Sequence, residues 1–379
     1  MLATEGFEVY LVDPSYSQQL RGRPKTDRRD CQWIYRLHSV GLLAAAFRPD
    51  KKTCQLRAYL RQRANLVRQG SRHVQHMQKA LEQMNLKLTE ILSDVTGLTG
   101  RTIIRAILRG TRAPEKLAKH RDKGCKASEA EIAQALTGSY REEHLFELKL
   151  AYEAWQFTLG QVGKVDAQIA LQLGRMKSDR ALPPLKPKVR PKRRVNSPGF
   201  DVRTALYYVV GLDLTEIEGV SELTALTIIS EIGPEVSQFP TVKKFCSWLG
   251  LCPNWKKTGG RVKSSRTRPG VNRAATAFRL AAHGLHRSQG ALGAFLRRMK
   301  SRLGTPAALT ATAHKLARIV YLALKHGLPY VRKSQEEYEA QMKEKQIKAL
   351  RRKACLLGLE IVEKTSGSLA TAEAASAQG

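Results

Sequence analysis

The sequence is poor in acidic residues, and it has neither a long apolar run nor a paired cysteine motif. Of its 379 residues, 33 are Asp or Glu and 65 are Lys or Arg, so the net charge is +32. Self-repulsion at that charge is costly unless a polyanion relieves it, and the basic residues are spread along the whole chain. We therefore expect a nucleic acid as partner, with ribosomal or membrane-surface binding as the alternative.

The lack of a long apolar run and the spacing of the cysteines indicate in which cellular compartment the protein acts. No run approaches membrane-spanning length and no signal peptide is visible, so we expect a cytoplasmic protein without a membrane partner. None of the six cysteines forms a Cys-x-x-Cys pair or has a histidine at zinc-finger spacing, which is typical of reduced thiols. They are Cys31, Cys54, Cys125, Cys246, Cys252 and Cys355. The pairs His73/His76 and His283/His286 lack a third ligand, so we interpret them as structural or surface residues.

Residues 1 to 50 predict an α/β fragment with an incomplete sheet. The alternating, β-branched segment 7–13 (FEVYLVD) is typical of a strand, which Pro14 ends. Thr26 is a candidate N-cap for a helix over about 27–43. Because one strand cannot form a sheet, the others are either hidden in poorly patterned sequence or missing.

Residues 51 to 181 predict a helical region that begins with one long helix over 51–95. Apolar residues recur there every seven positions, as in a coiled coil. One seam position holds Leu60, Val67, Val74, Leu81 and Leu88, and the other holds Met77, Met84 and Ile91. Gly70 is the weak point, with a cost of about 1 kcal/mol relative to Ala. Shorter helices are predicted near 101–109, 128–136 and 141–176, and the region is either a dimerisation element or an ordinary intramolecular bundle.

Residues 182 to 199 form a basic linker before the next domain. The stretch 182–198 has five prolines and six Lys or Arg, so it can form neither helix nor sheet and stays extended. It is either a spacer or a segment that lies along phosphates. We assign 200–330 to a C-terminal domain, 331–363 to a charged helix and 364–379 to a disordered tail.

The segment 213–233 is similar to a helix-hairpin-helix element. An apolar residue, Ile217, precedes a glycine turn, and a helix begins at Ser221. In that motif the backbone N–H groups at the helix start face a phosphate. Glu218 and Glu222 would repel a phosphate, so a purely structural hairpin is an equally good interpretation.

The segment 245–285 contains a dense cationic loop with hydroxyl groups. The candidates for DNA or RNA contacts are Lys256, Lys257, Arg261, Lys263, Arg266, Arg268 and Arg273, and the hydroxyls are Thr258, Ser264, Ser265 and Thr267. Gly259 and Gly260 allow a tight turn. A hydroxyl in this setting can attack a phosphodiester while cations stabilise the charge on phosphorus. From composition alone, a basic DNA-binding loop is the simpler interpretation.

Taken together, these segments resemble the DEDD-type insertion-sequence transposases of the insertion sequence one-ten family. The resemblance rests on GFEVYLVDP…GRPKTDRRDCQWIYRL and on IEGVSELTALTIISEIG…LGLCP…KTGG…SSRTRPGVNRAATAFRLAA. The pairing of K-T-D-x-x-D with the later L-G-L-x-P…G-G…N-R block is specific, whereas either block alone is weak. It implies a RuvC-like, RNase H-like nuclease fold at the N-terminus, linking coiled-coil helices, and a mainly α C-terminal transposase domain.

The resemblance also implies an activity and its residues. It implies a nucleoid-associated bacterial enzyme that cuts and rejoins DNA with Mg²⁺, guided by an element-encoded RNA and acting as a dimer or tetramer. The last two acids of the family pattern fall on Asp27 and Asp30, and its nucleophile, a serine before glycine, falls on Thr258. Two acids three apart share one helix face and can reach one metal, while Arg28 and Arg29 hold phosphates. Simple charge balance between these acids and arginines is the alternative.

The sequence departs from the family pattern near its start. The pattern has an earlier Asp and a Glu on strands upstream of the region matching Gly6, and the only nearby acids are Glu5, Glu8 and Asp13. We therefore expect the first half of the sheet to be absent and metal-dependent catalysis to be weak or lost. A non-catalytic nucleic-acid-binding remnant is the alternative function.

A second departure concerns the nucleophile, because threonine stands where the family has serine. The β-methyl group of Thr258 restricts its rotamer, although threonine can act as a nucleophile. Ser264 or Ser265 could serve instead if the loop folds differently. A junction-resolving host nuclease is a third interpretation, but such an enzyme has no need of a second, nucleophile-bearing domain.

Overall fold

The structure is a computed structural model that describes most of the chain. The described residues are 5–9, 11–12, 26–43, 45–178, 180–188, 196–270, 272–329, 343–344 and 347–361. Within them, helices supply nearly all regular structure, and the one named sheet has two strands. In the same residues, no helix combines the length and the apolar content that a membrane crossing requires.

The N-terminal region contains one described helix, α1 (Asp27–Ser39). Thr26 caps it as predicted, because its hydroxyl accepts a hydrogen bond from the Arg29 N–H at 3.4 Å. The predicted extension to residue 43 is wrong. The chain turns at Gly41, which has a left-handed φ of +70° that glycine adopts at little cost.

The sheet expected in residues 1 to 50 is barely represented among the described residues. The strand expected at 7–13 is reduced there to a single antiparallel bridge between Val12 and Ala45, and the Ala46 N–H donates to the Leu11 carbonyl at 2.6 Å. Residues 10 and 13 of that stretch lie outside the described part. A RuvC-like sheet therefore stays a prediction.

Residues 51 to 175 fold as a long antiparallel helical hairpin with a small helical cap. Its arms are α2 (Lys51–Gln83) and α7 (Glu142–Arg175). The predicted continuation of α2 to residue 95 is wrong, because the chain turns at Asn85, which has φ +57°. The cap consists of α3 (Leu88–Ile91), α4 (Leu98–Leu108), α5 (Pro114–Ala118) and α6 (Glu129–Ala135).

The heptad seam of α2 packs against α7 of the same chain. Leu60 and Met77 are buried in this contact. Gly70 is buried as well, and a Cβ there would make ordinary van der Waals contacts, 3.6 Å from Thr158 and 4.0 Å from Trp155. The packing therefore leaves room for a larger residue, and the cost of this glycine to the helix stays a prediction. The intramolecular bundle is the arrangement in the structure, and dimerisation through this region stays a prediction.

A buried ion pair interrupts the apolar seam. Arg63 on α2 and Asp166 on α7 are each 4% exposed, and Nε lies 2.5 Å from Oδ1. The end of the linker completes the cluster, because Arg63 donates to the Asn196 carbonyl at 2.9 Å. Asp166 accepts from the Gly199 N–H, also at 2.9 Å. These bonds tie the start of the C-terminal domain to the helical hairpin.

The described parts of the basic linker, 182–188 and 196–199, have no regular secondary structure, in agreement with its proline content. It runs along the C-terminal domain. Tyr207 donates through Oη to the Pro183 carbonyl at 2.7 Å, and Lys188 donates to the Thr215 carbonyl at 3.0 Å. Its central part lies outside the described residues, and phosphate binding by the linker stays a prediction.

The C-terminal domain is a helical bundle that carries one small β-hairpin. Its helices are α8 (Val202–Val210), α9 (Glu222–Ile232), α10 (Val242–Trp248), α11 (Arg273–Gly284), α12 (Ala291–Leu303) and α13 (Thr305–His326), with 3₁₀ turns at Leu214–Glu216 and Leu285–Arg287. The hairpin strands are β1 (Lys256–Thr258) and β2 (Arg261–Ser264). Phe245, Phe278 and Tyr321 are buried in the core. Beyond it, residues 347–356 are helical, whereas the tail 364–379 lies outside the described part.

Candidate nucleic-acid interface

The two predicted metal ligands lie in the first turn of α1. Asp27 is exposed and Asp30 is half-buried, and their spacing places them on one helix face beside the positive end of the helix dipole. Among the described residues, no group of three or more His, Cys, Asp or Glu could hold a metal ion. Two carboxylates alone do not complete a Mg²⁺ site, so further ligands would be needed for metal-assisted catalysis at this helix. Arg28 and Arg29, in the same turn, are exposed.

Thr258 lies at the tip of the basic hairpin, which we define as residues 256–264. It faces Arg261 across a two-residue turn. Gly259 and Gly260 occupy that turn with φ of +54° and +73°, the left-handed values of a type I′ turn that glycine adopts at little cost. The hairpin projects Thr258 and its neighbouring cations into solvent, and every residue of β1 is exposed.

The hydroxyls of Ser264 and Ser265 lie at the base of the basic hairpin. Ser264 pairs with Lys256, and its Oγ accepts from the Arg266 N–H at 3.3 Å. The two strands continue irregularly below this point, with the Asn254 N–H donating to the Arg266 carbonyl at 3.0 Å. The loop therefore separates Thr258 at the tip from the two serines at the base.

A groove of about 1450 Å³, here called the C-terminal groove, opens between the base of the hairpin and helices α11 to α13. Its apolar part includes Leu292, Phe295, Leu303, Ile319 and Leu322. Its cations are Lys256, Arg266, Arg268, Arg279, Lys315 and Arg318. Ser264 and Ser265 line the groove, but Thr258 does not, and the described lining contains no acidic residue.

The segment 236–335, which supplies the described lining of the C-terminal groove, contains no acidic residue to neutralise its cations. No aspartate or glutamate occurs between Glu235 and Glu336. Two acids from earlier in the domain bind cations outside the groove lining: Asp213 binds Arg203, and Glu231 binds Arg57 and Arg61 of α2. Glu218, in contrast, lies beside the lining, because it accepts a hydrogen bond from the Leu292 N–H. The groove therefore has a positive field that favours a polyanion.

The segment predicted to resemble a helix-hairpin-helix contains a turn followed by a helix, and this turn packs against the domain core. The predicted helix start at Ser221 is confirmed, and Ser221 is the N-cap of α9, accepting from the Thr224 N–H at 3.2 Å. The preceding turn packs inward, because a Cβ on Gly219 would lie 2.9 Å from Leu285. Glu218 accepts from the Ser288 hydroxyl and from the Leu292 N–H at the start of α12. These contacts give Glu218 a structural role, and a phosphate contact at this turn stays a prediction.

The fold brings only some of the predicted cations into the groove. Lys256, Arg266 and Arg268 line it, whereas Lys257, Arg261, Lys263 and Arg273 are exposed outside its lining. Sequence reasoning missed the groove residues that follow the loop in the chain: Arg279, Phe295, His314, Lys315 and Arg318. The absence of acids from 236 to 335 was the available signal. Burial, together with the nearby charge of Arg318, lowers the pKa of His314.

Comparison with known proteins finds transposase families in both terminal regions. Residues 1–86 match an IS110-type DEDD transposase family model. Residues 213–296 match the transposase family IS116/IS110/IS902, and this segment includes the basic hairpin. A search of curated proteins found no match. The two matched segments agree with the two sequence blocks on which the resemblance rests.

Proposed function

The chain carries both characteristic segments of an IS110-type insertion-sequence transposase, and we propose on this premise that it cuts and rejoins DNA strands. The family implies DNA as a partner. The observation that best supports strand cleavage is the basic hairpin, which projects a hydroxyl on a glycine turn among lysines and arginines. It stands beside a groove whose described lining has six cations and no acidic residue, so this lining attracts a phosphodiester.

Thr258 is the proposed nucleophile. Its Oγ1 would form a bond to phosphorus, the bond from phosphorus to one deoxyribose oxygen would break, and that oxygen would take up a proton. The covalent ester retains the phosphodiester bond energy, so a second strand end can displace Thr258 and reseal the backbone. Arg261 lies opposite Thr258 and is placed to stabilise negative charge on the phosphate oxygens.

Ser264 and Ser265 are the competing nucleophiles. Both line the groove, but the Ser264 hydroxyl already accepts a backbone hydrogen bond from Arg266. Thr258 is favoured because it precedes the glycine pair, where the family has its serine before glycine. The three hydroxyls can be distinguished by mutation, since they lie at different places on the hairpin.

Asp27 and Asp30 are proposed to supply two ligands to a divalent metal, with Mg²⁺ as the expected ion. DEDD transposases typically use a divalent metal, which would stabilise charge on the reacting phosphate. Exposed Arg28 and Arg29 in the same turn would bind the neighbouring phosphates. Further ligands must come from residues beyond those described or from a partner chain.

The proposal extends to partners that the family suggests. A guide RNA from the same element and a homo-oligomer, dimer or tetramer, are proposed, together with action at the bacterial nucleoid in the cytoplasm. The alternative is a non-catalytic remnant that still binds nucleic acid. Both candidates would bind more weakly as salt rises, so salt dependence cannot distinguish them.

The experiment is a strand-exchange reaction with element-end DNA, target DNA, flanking element RNA and Mg²⁺. Denaturing gels would report exchanged strands and a covalent protein–DNA adduct. Thr258→Ala should lose both products, Thr258→Ser should retain them, and Asp27→Ala or Asp30→Ala should lose exchange. The matched control is Thr276→Ala, an exposed threonine on α11 whose hydroxyl only bonds its own helix.

Each negative result has a definite meaning. Absence of both products from the unmodified chain would favour the remnant. An adduct that survives Thr258→Ala but disappears in Ser265→Ala would move the nucleophile to the base of the hairpin. Full activity in both aspartate variants would remove the metal role.

A further inference from the structure

The lining of the C-terminal groove combines apolar side chains with cations, and a DNA duplex cannot contact both kinds of side chain at once. Leucines, an isoleucine and Phe295 form an apolar surface, while six lysines and arginines supply positive charge. A double helix presents sugars and phosphates outward and keeps its bases stacked inside. Duplex DNA would therefore pair with the cations but leave the apolar surface uncovered.

Unpaired nucleotides offer both a flat apolar base and a phosphate. Proteins that bind single strands combine a positive channel for the backbone with apolar or aromatic surfaces for the bases. The groove volume of about 1450 Å³ exceeds the roughly 300–1,000 Å³ of pockets that hold a drug-sized molecule. It therefore has room for more than one nucleotide.

Ring contacts hold cations beside the apolar surface. The Lys315 ammonium lies 4.5 Å from the centre of the Phe295 ring, and the Arg298 guanidinium lies 5.7 Å from it. Such contacts orient a charge next to an apolar face. Arg318, one turn after His314 on α13, is exposed at the same groove.

We propose that the C-terminal groove binds unpaired DNA nucleotides, with bases on the apolar surface around Phe295 and phosphates on the cations of α11, α13 and the hairpin base. The inference rests on the proposed function, since cutting and rejoining requires strands that leave their duplex. It adds the form of DNA that the domain holds and a site separate from the Thr258 tip.

The test is direct binding of a labelled single strand, measured by fluorescence anisotropy without metal. The probe is a thymidine oligonucleotide of about eight nucleotides, compared with a duplex of the same length. Ala307→Trp fills the groove, and its matched control is Ala294→Trp, an exposed alanine on α12 outside the lining. Arg318→Ala removes a groove cation, and its matched control is Arg302→Ala on the exposed end of α12.

Ala307→Trp and Arg318→Ala should each weaken single-strand binding by roughly tenfold, while both controls stay within about twofold. Duplex binding should change less than single-strand binding. An unchanged single-strand affinity in both groove variants, or an equal loss for duplex, would overturn the proposal. If circular dichroism shows that Ala307→Trp is misfolded, an oligonucleotide with 4-thiothymidine is crosslinked to the unmodified protein instead. Adducts mapped to residues 291–322 would support binding in the groove, and adducts elsewhere would refute it.

Two further arms separate the explanations. The first arm measures a uridine RNA oligonucleotide of equal length. Binding about tenfold tighter than that of the DNA would assign the groove to RNA and overturn the proposal for DNA. Because binding is measured without metal or catalysis, failed strand exchange with intact groove binding would refute the proposed activity alone. Intact strand exchange with unaffected single-strand binding in the groove variants would refute this inference alone.

Discussion

Replacing Asp166 by alanine should destabilise the helical hairpin strongly, because it leaves the Arg63 guanidinium buried without its carboxylate. Both residues are 4% exposed, so removal of the carboxylate leaves a buried positive charge without its partner. Removing one partner of a buried ion pair costs roughly 3–5 kcal/mol. The Gly199 N–H also loses its acceptor, which adds about 1 kcal/mol.

A double variant supplies the matched comparison. Arg63→Leu with Asp166→Leu removes both charges, so the penalty of an unpaired ion disappears and apolar packing replaces it. Two backbone groups, the Asn196 carbonyl and the Gly199 N–H, then lose their side-chain partners at about 1 kcal/mol each. The double variant should therefore be more stable than Asp166→Ala alone.

Urea unfolding, followed by circular dichroism at a helix wavelength, measures these free energies of unfolding. Glu344→Ala, which removes an exposed ion pair with Lys348, is the control and should cause no measurable change. Tryptic cleavage in the linker should also accelerate in Asp166→Ala, because residues 196–199 lose an anchor. A loss below about 1 kcal/mol, or a double variant less stable than the single one, would refute the reasoning.

Three other outcomes are expected. Gly260→Ala should destabilise the hairpin by about 1–2 kcal/mol, because this residue has a left-handed φ of +73°. Strand exchange should fall, while the thermal midpoint of the whole chain stays unchanged. Normal strand exchange would contradict the role of the turn. Iodoacetamide should label exposed Cys31 at pH 8 but not Cys246, because burial raises the pKa of that thiol to about 12, and equal labelling by mass spectrometry would contradict this. Burial and the charge of Arg318 lower the pKa of His314, so its neutral form contributes stability above its ordinary pKa of 6.5 and loses it as pH falls below that value. His314→Gln should remove this part of the pH dependence in urea unfolding, and identical profiles would contradict it.

Local features of the fold could be predicted from the sequence. The sequence predicts Thr26 as an N-cap and Ser221 as a helix start, and each accepts a backbone hydrogen bond from the first turn of its helix. The Gly259–Gly260 pair likewise predicts a tight turn, since few other residues adopt two left-handed conformations in succession. The heptad pattern predicts an apolar seam, and its members Leu60, Met77 and Leu81 are buried on α2, whereas a coiled coil stays a prediction.

The partners of those features could not be predicted, because they depend on residues far apart in the chain. A heptad pattern is the same whether the second helix comes from this chain or another, and only the fold shows that α7 of the same chain packs against α2. The incomplete carboxylate set of α1 was expected from the family pattern, and the described residues supply no third ligand. The metal site and its residues therefore stay predictions.

By itself, the sequence determined the charge, the positions of caps and turns, and the two transposase segments, because each is encoded within a short stretch. Only the tertiary structure decided which cations share a groove. Arg266 follows the basic hairpin and Arg318 lies on α13, far away in sequence. They line the same opening because the helices of the C-terminal domain bury their apolar faces in one core. Burial of apolar surface acts over any sequence distance, whereas capping and turn chemistry act over a few residues.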